Sequence, residues 1–151
     1  MLSTGEIAPE FELPNQDGET VTLRDFEGQA VVVYFYPRAD TPGCKTEACS
    51  FRDEWNAYRQ QDVAVLGISD DPLADLAEFK AKYDLPFHLL SDKDGTVARA
   101  YDSYGEKTVY GNRVEGTFRN TYVVGSDGTI IEVFEGVDPE GHGEEVLSVI
   151  D

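Results

Sequence analysis

The stretch Ala30–Cys49, AVVVYFYPRADTPGCKTEAC, runs from an unbroken apolar segment through a proline- and glycine-marked loop into a segment holding both cysteines of the chain. Ala30 to Tyr36 is β-branched and aromatic without alternation, the signature of a strand buried on both faces. Thr41 followed by Pro42 then predicts a helix start, with threonine as N-cap and proline at the first helical position. Helical spacing continues to Gln61. A central strand feeding directly into a helix opens an α/β fold.

The flanking sequence extends this pattern. Upstream, FELP and TVTL, joined by the turn NQDGE, predict an N-terminal β-hairpin. Downstream, Val63 to Ser69 (VAVLGIS) is a second buried strand. DPLADLAEFKAKYDL, with Asp71 as cap and Pro72 at the first helical position, is a second helix. PFHLLSD returns as a short strand and DGTVARAY as a short helix. TFRNTYVV, the Asp127-Gly128 turn and TIIEVFEG form a closing hairpin, and GEEVLSVI a final helix. This order is compatible with a thioredoxin-like core, a mixed central sheet flanked by helices, with a small doubly wound fold as the rival. No repeat or linker divides the chain, so residues 1–151 are expected to form one domain of 16.7 kDa, large enough to bury a core without covalent staples.

Charge narrows the function. With 30 Asp and Glu against 12 Lys and Arg, the formal net charge is -18. A field of that sign repels phosphate backbones and anionic lipid, so no nucleic-acid or membrane partner is expected. The acidic residues are spread along the chain and expected on its solvated surface. This distribution suits a cytoplasm of high salt, where screening acts over about 3 Å at 1 M. The acidic N-terminus lacks a signal-peptide pattern, which points to a cytoplasmic protein. His88 is expected at a strand edge and His142 in a solvated C-terminal turn.

On a helical wheel Ala48, Phe51, Trp55 and Tyr58 fall within about 40° of Cys44, placing that cysteine on the buried face in the first turn. Unpaired N–H groups and the positive dipole end there favour a thiolate. Cys49 lies about 140° away, off the apolar stripe. Residues five apart in an ideal helix have Cα atoms about 8.6 Å apart, whereas a disulfide needs less than about 7 Å. A bond between the two thus requires at least one turn to unwind. Metal binding is disfavoured, because His88 and His142 lack metal-site spacing to the cysteines, and a calcium loop at DKDGTVARAYDS fails because its glycine is misplaced.

Pro37, Thr41 and Cys44 in PRADTPGC, the second cysteine at Cys49, and GTFRNTYVVGSDG resemble a peroxiredoxin. The Cys-x4-Cys spacing resembles the bacterioferritin-comigratory, or PrxQ, subfamily over nearly the whole chain. The resemblance implies a thioredoxin-like fold and a thiol-dependent peroxidase acting on hydrogen peroxide and organic hydroperoxides, without a cofactor or metal. It makes Cys44 the peroxidatic cysteine and Cys49 the resolving one. Thr41 orients peroxide through its hydroxyl, besides its competing capping role; Pro37 shields the pocket and Arg119 is the active-site arginine. The implied partners are a peroxide and thioredoxin or a similar dithiol. Closure of the disulfide within one chain suggests a monomer. Lys45 departs from the family pattern, which has threonine there.

The chemistry accounts for these residue types. A free thiol of pKa about 8.5 is about 3% thiolate at pH 7, so full ionisation gains at most roughly 30-fold, or about 2 kcal/mol. Larger acceleration must come from donors aimed at the peroxide oxygens, for which Arg119, Thr41 and the N–H groups of Gly43 and Cys44 are the candidates. Two rivals share the same cysteines: a protein thiol–disulfide oxidoreductase, which would ordinarily carry C-x-x-C, and a non-enzymatic redox switch.

Overall fold

The computed structural model describes residues 2–150 apart from the Val109 side chain, so the outermost residue at each end of the expected domain lies outside it. The elements in chain order are β1 (Glu12–Pro14), β2 (Thr20–Thr22), β3 (Ala30–Phe35), α1 (Pro42–Asp53), α2 (Trp55–Gln60), β4 (Val63–Ser69), α3 (Leu73–Lys82), β5 (His88–Ser91), α4 (Thr96–Ala100), β6 (Tyr104–Val109), β7 (Asn112–Thr117), β8 (Thr121–Val124), β9 (Ile130–Phe134) and α5 (His142–Ile150). The main sheet has the order β5-β4-β3-β8-β9. β3, β4 and β5 are parallel, while β8 and β9 run antiparallel to their neighbours. This is the expected mixed, thioredoxin-like sheet.

β3 sits at its centre because both of its faces are apolar. Val31, Val33 and Phe35 point to one side, with Phe11 and Leu13 of the N-terminal hairpin region and Val97 and Tyr101 around α4. Val32 and Tyr34, followed by Tyr36, point to the other, where they meet Cys44, Ala48 and Phe51 of α1, Leu76 and Phe79 of α3, and Val146 of α5. The period of two along the strand thus distributes the core between two layers of covering elements. His88 begins the edge strand β5 and is exposed, as expected.

Several local expectations are corrected. The cysteine helix does not run unbroken to Gln61: Glu54 has φ -98 and ψ 10 and separates α1 from α2. The bend lets Trp55 lie 6.0 Å from the Phe87 ring while the Tyr58 hydroxyl donates to the Gly143 carbonyl at 2.6 Å. Asp71 does not cap α3, where Pro72 takes that position. Its buried carboxylate instead accepts from the Ala39 N–H at 2.7 Å and the Ser69 hydroxyl at 2.8 Å, tying the loop after β3 to the end of β4. His142 is not solvated. It is fully buried, with Nε2 2.8 Å from the Thr121 hydroxyl and Nδ1 2.8 Å from Glu145 Oε1. Burial lowers its pKa, against the pull of Glu145. β8 starts only at Thr121, since Thr117 ends β7 and residues 118–120 cross between the two.

The β6–β7 hairpin was not expected. It turns through Tyr110 and Gly111, both in the left-handed region at φ 53 and 80, as a two-residue hairpin of this kind requires.

The contact that fixes α1 against α5 is backbone to backbone. A Cβ placed on Gly143 would lie 2.4 Å from the Ser50 carbonyl oxygen, and the Gly143 N–H donates to the Ser50 hydroxyl at 2.9 Å. Gly143→Ala is therefore expected to lower stability by about 1–3 kcal/mol, the range for overpacking, read as a shift in the urea midpoint at unchanged slope. An unchanged midpoint would show that the two helices separate freely.

Candidate active site

The site lies where β3 ends and α1 begins. Pro37 follows the strand after Tyr36 and is half-buried, and Arg38–Asp40 lead on to Thr41 and the first turn of α1. Asp71 fixes this loop through the Ala39 N–H and by lying 3.6 Å from Arg38 Nε. Pro42 occupies the first helical position, where a missing N–H leaves nothing unpaired. Cys44 follows in the same turn, 1% exposed, with the unpaired backbone N–H groups of the helix start around it.

Arg119 reaches this turn from the crossover between β7 and β8. Its own backbone is pinned, since the Val137 N–H donates to the Arg119 carbonyl at 2.8 Å and the Phe35 N–H to the Asn120 carbonyl at 2.8 Å. The guanidinium points two ways. Nη1 donates to Glu47 Oε1 at 2.8 Å, and Nη2 to Cys44 Sγ at 3.5 Å. Gly43 makes room for it, because a Cβ there would come within 3.0 Å of Nη2.

Glu47 is one helical turn beyond Cys44 and fully buried, which overturns the expectation that the carboxylates are all solvated surface. Its sequence signal was available: the i,i+3 spacing sets it on the same face as Cys44. Burial pushes its carboxyl up to about 7 even though Arg119 pulls it down. Its second oxygen, Oε2, has no hydrogen-bond partner among the described residues, and neither does the Tyr34 hydroxyl beneath the helix. Burial disfavours the charge on Arg119, but Glu47 and Cys44 together outweigh it and raise the pKa, so this cation stays charged.

Thr41 provides no side-chain cap to α1. Its hydroxyl donates instead to the Arg38 carbonyl at 2.9 Å, which commits its proton and leaves the oxygen able to accept. Cys49 is half-buried beside a groove that Lys45, Ser50, Gly141 and Glu144 also line. Both cysteines are free thiols within one continuous helix.

The unforeseen hairpin supplies another cation. Lys107 of β6 donates to the Thr117 carbonyl at 2.8 Å. Burial lowers its pKa, while the charges of Cys44 and Arg119 both act on it. Among the described residues no group of three or more His, Cys, Asp or Glu side chains is gathered to hold a metal.

Sequence and structure comparisons place this fold among known proteins. Residues 4–133 match the model of the AhpC/TSA family. A putative peroxiredoxin, bcp, of Coxiella burnetii is 44% identical over 146 residues, covering 97% of each chain. Peroxiredoxin Bcp of Escherichia coli is 44% identical over 147 residues, 97% of this chain and 94% of that one. A cysteine-to-serine mutant of PrxQ from Xylella fastidiosa superposes with a TM-score of 0.93 at 33% identity, covering 99% of this chain and 96% of that one. With its two-cysteine helix, its half-buried arginine and this kinship over nearly all its length, the chain belongs to the AhpC/TSA family, as a peroxiredoxin of the Bcp/PrxQ kind.

Proposed function

We propose that Cys44 carries the thiol peroxidase activity of this peroxiredoxin, that Cys49 resolves it, and that Arg119, Thr41 and Pro37 form the peroxide pocket. The observation that carries the reading is the guanidinium of Arg119 donating to Cys44 Sγ at 3.5 Å in a chain of net charge -18. A cation is placed on one sulfur in a field that otherwise repels anions.

The Cys44 thiolate attacks the terminal oxygen of a hydroperoxide. The O–O bond breaks, sulfur is oxidised to the sulfenic acid, and the leaving alkoxide or hydroxide takes a proton to become alcohol or water. Arg119 Nη2 and the helix-start N–H groups are donors available to the oxygens where charge develops. Thr41, its proton committed to Arg38, accepts from the hydroperoxide O–H. Pro37 closes the pocket without adding a competing donor.

The Cys49 thiolate then attacks Cys44 sulfur, the S–S bond forms as the S–O bond breaks, and the departing hydroxide takes a proton from solvent to leave as water. Because α1 is continuous through both cysteines, its first turn must open before this bond forms. A dithiol reductant returns both thiols by exchange and is itself oxidised to a disulfide. A thioredoxin-type protein is the proposed donor, acting in a cytoplasm that keeps thiols reduced. Both cysteines belong to one chain, so the cycle needs no partner copy and a monomer suffices. Organic hydroperoxides join hydrogen peroxide as proposed substrates, in keeping with the alkyl peroxide reduction ascribed to the bacterioferritin comigratory protein of Xanthomonas campestris, 33% identical with a TM-score of 0.88.

Cys44→Ser is expected to abolish peroxide consumption, and Cys49→Ser to allow one stoichiometric turnover without an intramolecular disulfide. Undiminished thioredoxin-supported turnover in Cys49→Ser would remove that residue from the cycle. Arg119→Ala is expected to slow the peroxide step by about 10²–10³-fold, the scale for one donor to developing charge. Arg119→Lys, which keeps the charge and leaves Glu47 paired, isolates the loss of the two-armed geometry. A rate within twofold of wild type in both variants would take the arginine out of the pocket.

The pH profile tests the Glu47 contact. Below about 7 the buried carboxyl is protonated and Nη1 of Arg119 loses its charged acceptor, so the wild-type peroxide rate falls as pH drops through that value. In Glu47→Gln this inflection is absent at every pH measured by stopped flow; an inflection that persists belongs to another group.

A further inference from the structure

Lys45, the departure from the family pattern, lies in a small cluster outside the peroxide pocket. Its Nζ sits 5.5 Å from the centre of the Tyr83 ring, and Lys82 Nζ sits 5.3 Å from the same centre. The Tyr83 hydroxyl donates to Asp40 Oδ1 at 2.5 Å, and Lys82 donates to Asp40 Oδ2 at 2.8 Å. Asp40 itself has φ 60, a left-handed conformation that aspartate tolerates but does not prefer. Tyr83 and Lys82, at the end of α3, thus hold the loop before Cys44 through Asp40, and through Tyr83 the residue after it, Lys45.

The two ends of α1 are held differently. Near its C-terminus Arg52 Nη1 donates to the Tyr83 carbonyl at 2.9 Å, Phe51 is fully buried, and Ser50 is locked to Gly143. Near its N-terminus the restraints toward α3 are side chains at the surface, with Lys82 53% and Asp40 35% exposed. Disulfide closure requires the turn at Cys44 to open while Cys49 remains on the anchored part. The contacts of Asp40 and Lys45 with Tyr83 lie across the line where that opening occurs.

We propose that Tyr83 is a positioning residue for the resolving step: its clasp on Asp40 and Lys45 holds the first turn of α1 closed and sets how often oxidised Cys44 reaches Cys49. This rests on the assignment of Cys44 and Cys49 made above. The closed turn favours reaction with peroxide, and the open turn favours the disulfide. A tighter clasp prolongs the sulfenic acid and exposes it to a second peroxide, which carries it to the sulfinic acid.

The test uses the reduced full-length protein mixed with hydrogen peroxide, followed by the fluorescence of Trp55, the sole tryptophan. Sulfenic acid formation appears as a phase proportional to peroxide concentration, and disulfide closure as a first-order phase independent of it. Tyr83→Phe keeps the ring, which packs 5.6 Å from the Phe79 centroid, and removes only the hydroxyl on Asp40. It is expected to speed the first-order phase about threefold or more, since a hydrogen bond to a charged acceptor is lost. The peroxide-dependent phase stays within twofold, and the sulfinic fraction measured by mass spectrometry at high peroxide falls. Lys82→Met moves the phases in the same direction, whereas Lys82→Arg, which keeps the ion pair, retains the wild-type rate. An unchanged disulfide rate in Tyr83→Phe, or both phases slowing together, would overturn the clasp. Absence of a peroxide-dependent phase in the wild type, or a first-order phase surviving in Cys49→Ser, would instead overturn the cysteine assignment and the clasp with it.

Discussion

The arrangement around Cys44 depends on one half-buried cation. Arg119 meets Glu47 at 2.8 Å with the carboxylate fully buried and the guanidinium side chain only 18% exposed. Burying such a pair sacrifices hydration that the mutual attraction only partly returns, so its value lies less in stability than in geometry. The carboxylate comes from the same helix as the cysteine, and the guanidinium from a crossover at the other side of the central strand. Their pairing fixes the distance between two elements remote in sequence, and it directs the second arm of the guanidinium at sulfur. The antiparallel β8 beside β3, the pinned carbonyls of Arg119 and Asn120, and the bare backbone of Gly43 all serve that placement.

A second constraint is the length of the helix itself. A thiol that reacts with peroxide is best held at a helix start, where N–H groups converge, yet its partner thiol is carried on the following turn of that same helix. Rigid geometry serves the first reaction and forbids the second. The chain reconciles them by unequal anchoring. Phe51, Ser50 and Arg52 root the later turns in the core and against α5 and α3, while the restraints of the earlier turn toward α3 are partly exposed side chains whose attraction salt and solvent weaken.

What the sequence disclosed follows the same physics. Unalternating apolar runs identified β3 and β4, because a strand covered on both sides leaves no room for polar positions. The cysteine pair stood out by its spacing, while the threonine, proline and arginine of the candidate site were marked by resemblance to a family. Glu47 is one of 30 acidic residues, and its spacing of three from Cys44 is the one local sign that sets it apart from its solvated neighbours. Asp71 and His142 were misplaced for a related reason: local rules offered each a cap or turn, and more distant partners, Ala39 and Thr121, claimed them. The β6–β7 hairpin eluded pattern reading since its residues are largely exposed and polar and its turn, Tyr110-Gly111, lacks the usual Asn-Gly signal.

The polar atoms left unmatched beneath α1 bear on how the helix opens. Glu47 Oε2 and the Tyr34 hydroxyl are enclosed without partners among the described residues while the turn is wound, a state disfavoured for any buried polar group. Any rearrangement of the helix around Cys44 therefore changes the surroundings of these two polar groups as well as those of the thiol. Glu47 and Cys44 lie one turn apart on α1 and share the Arg119 guanidinium, so a change at either one reaches the other through a single cation.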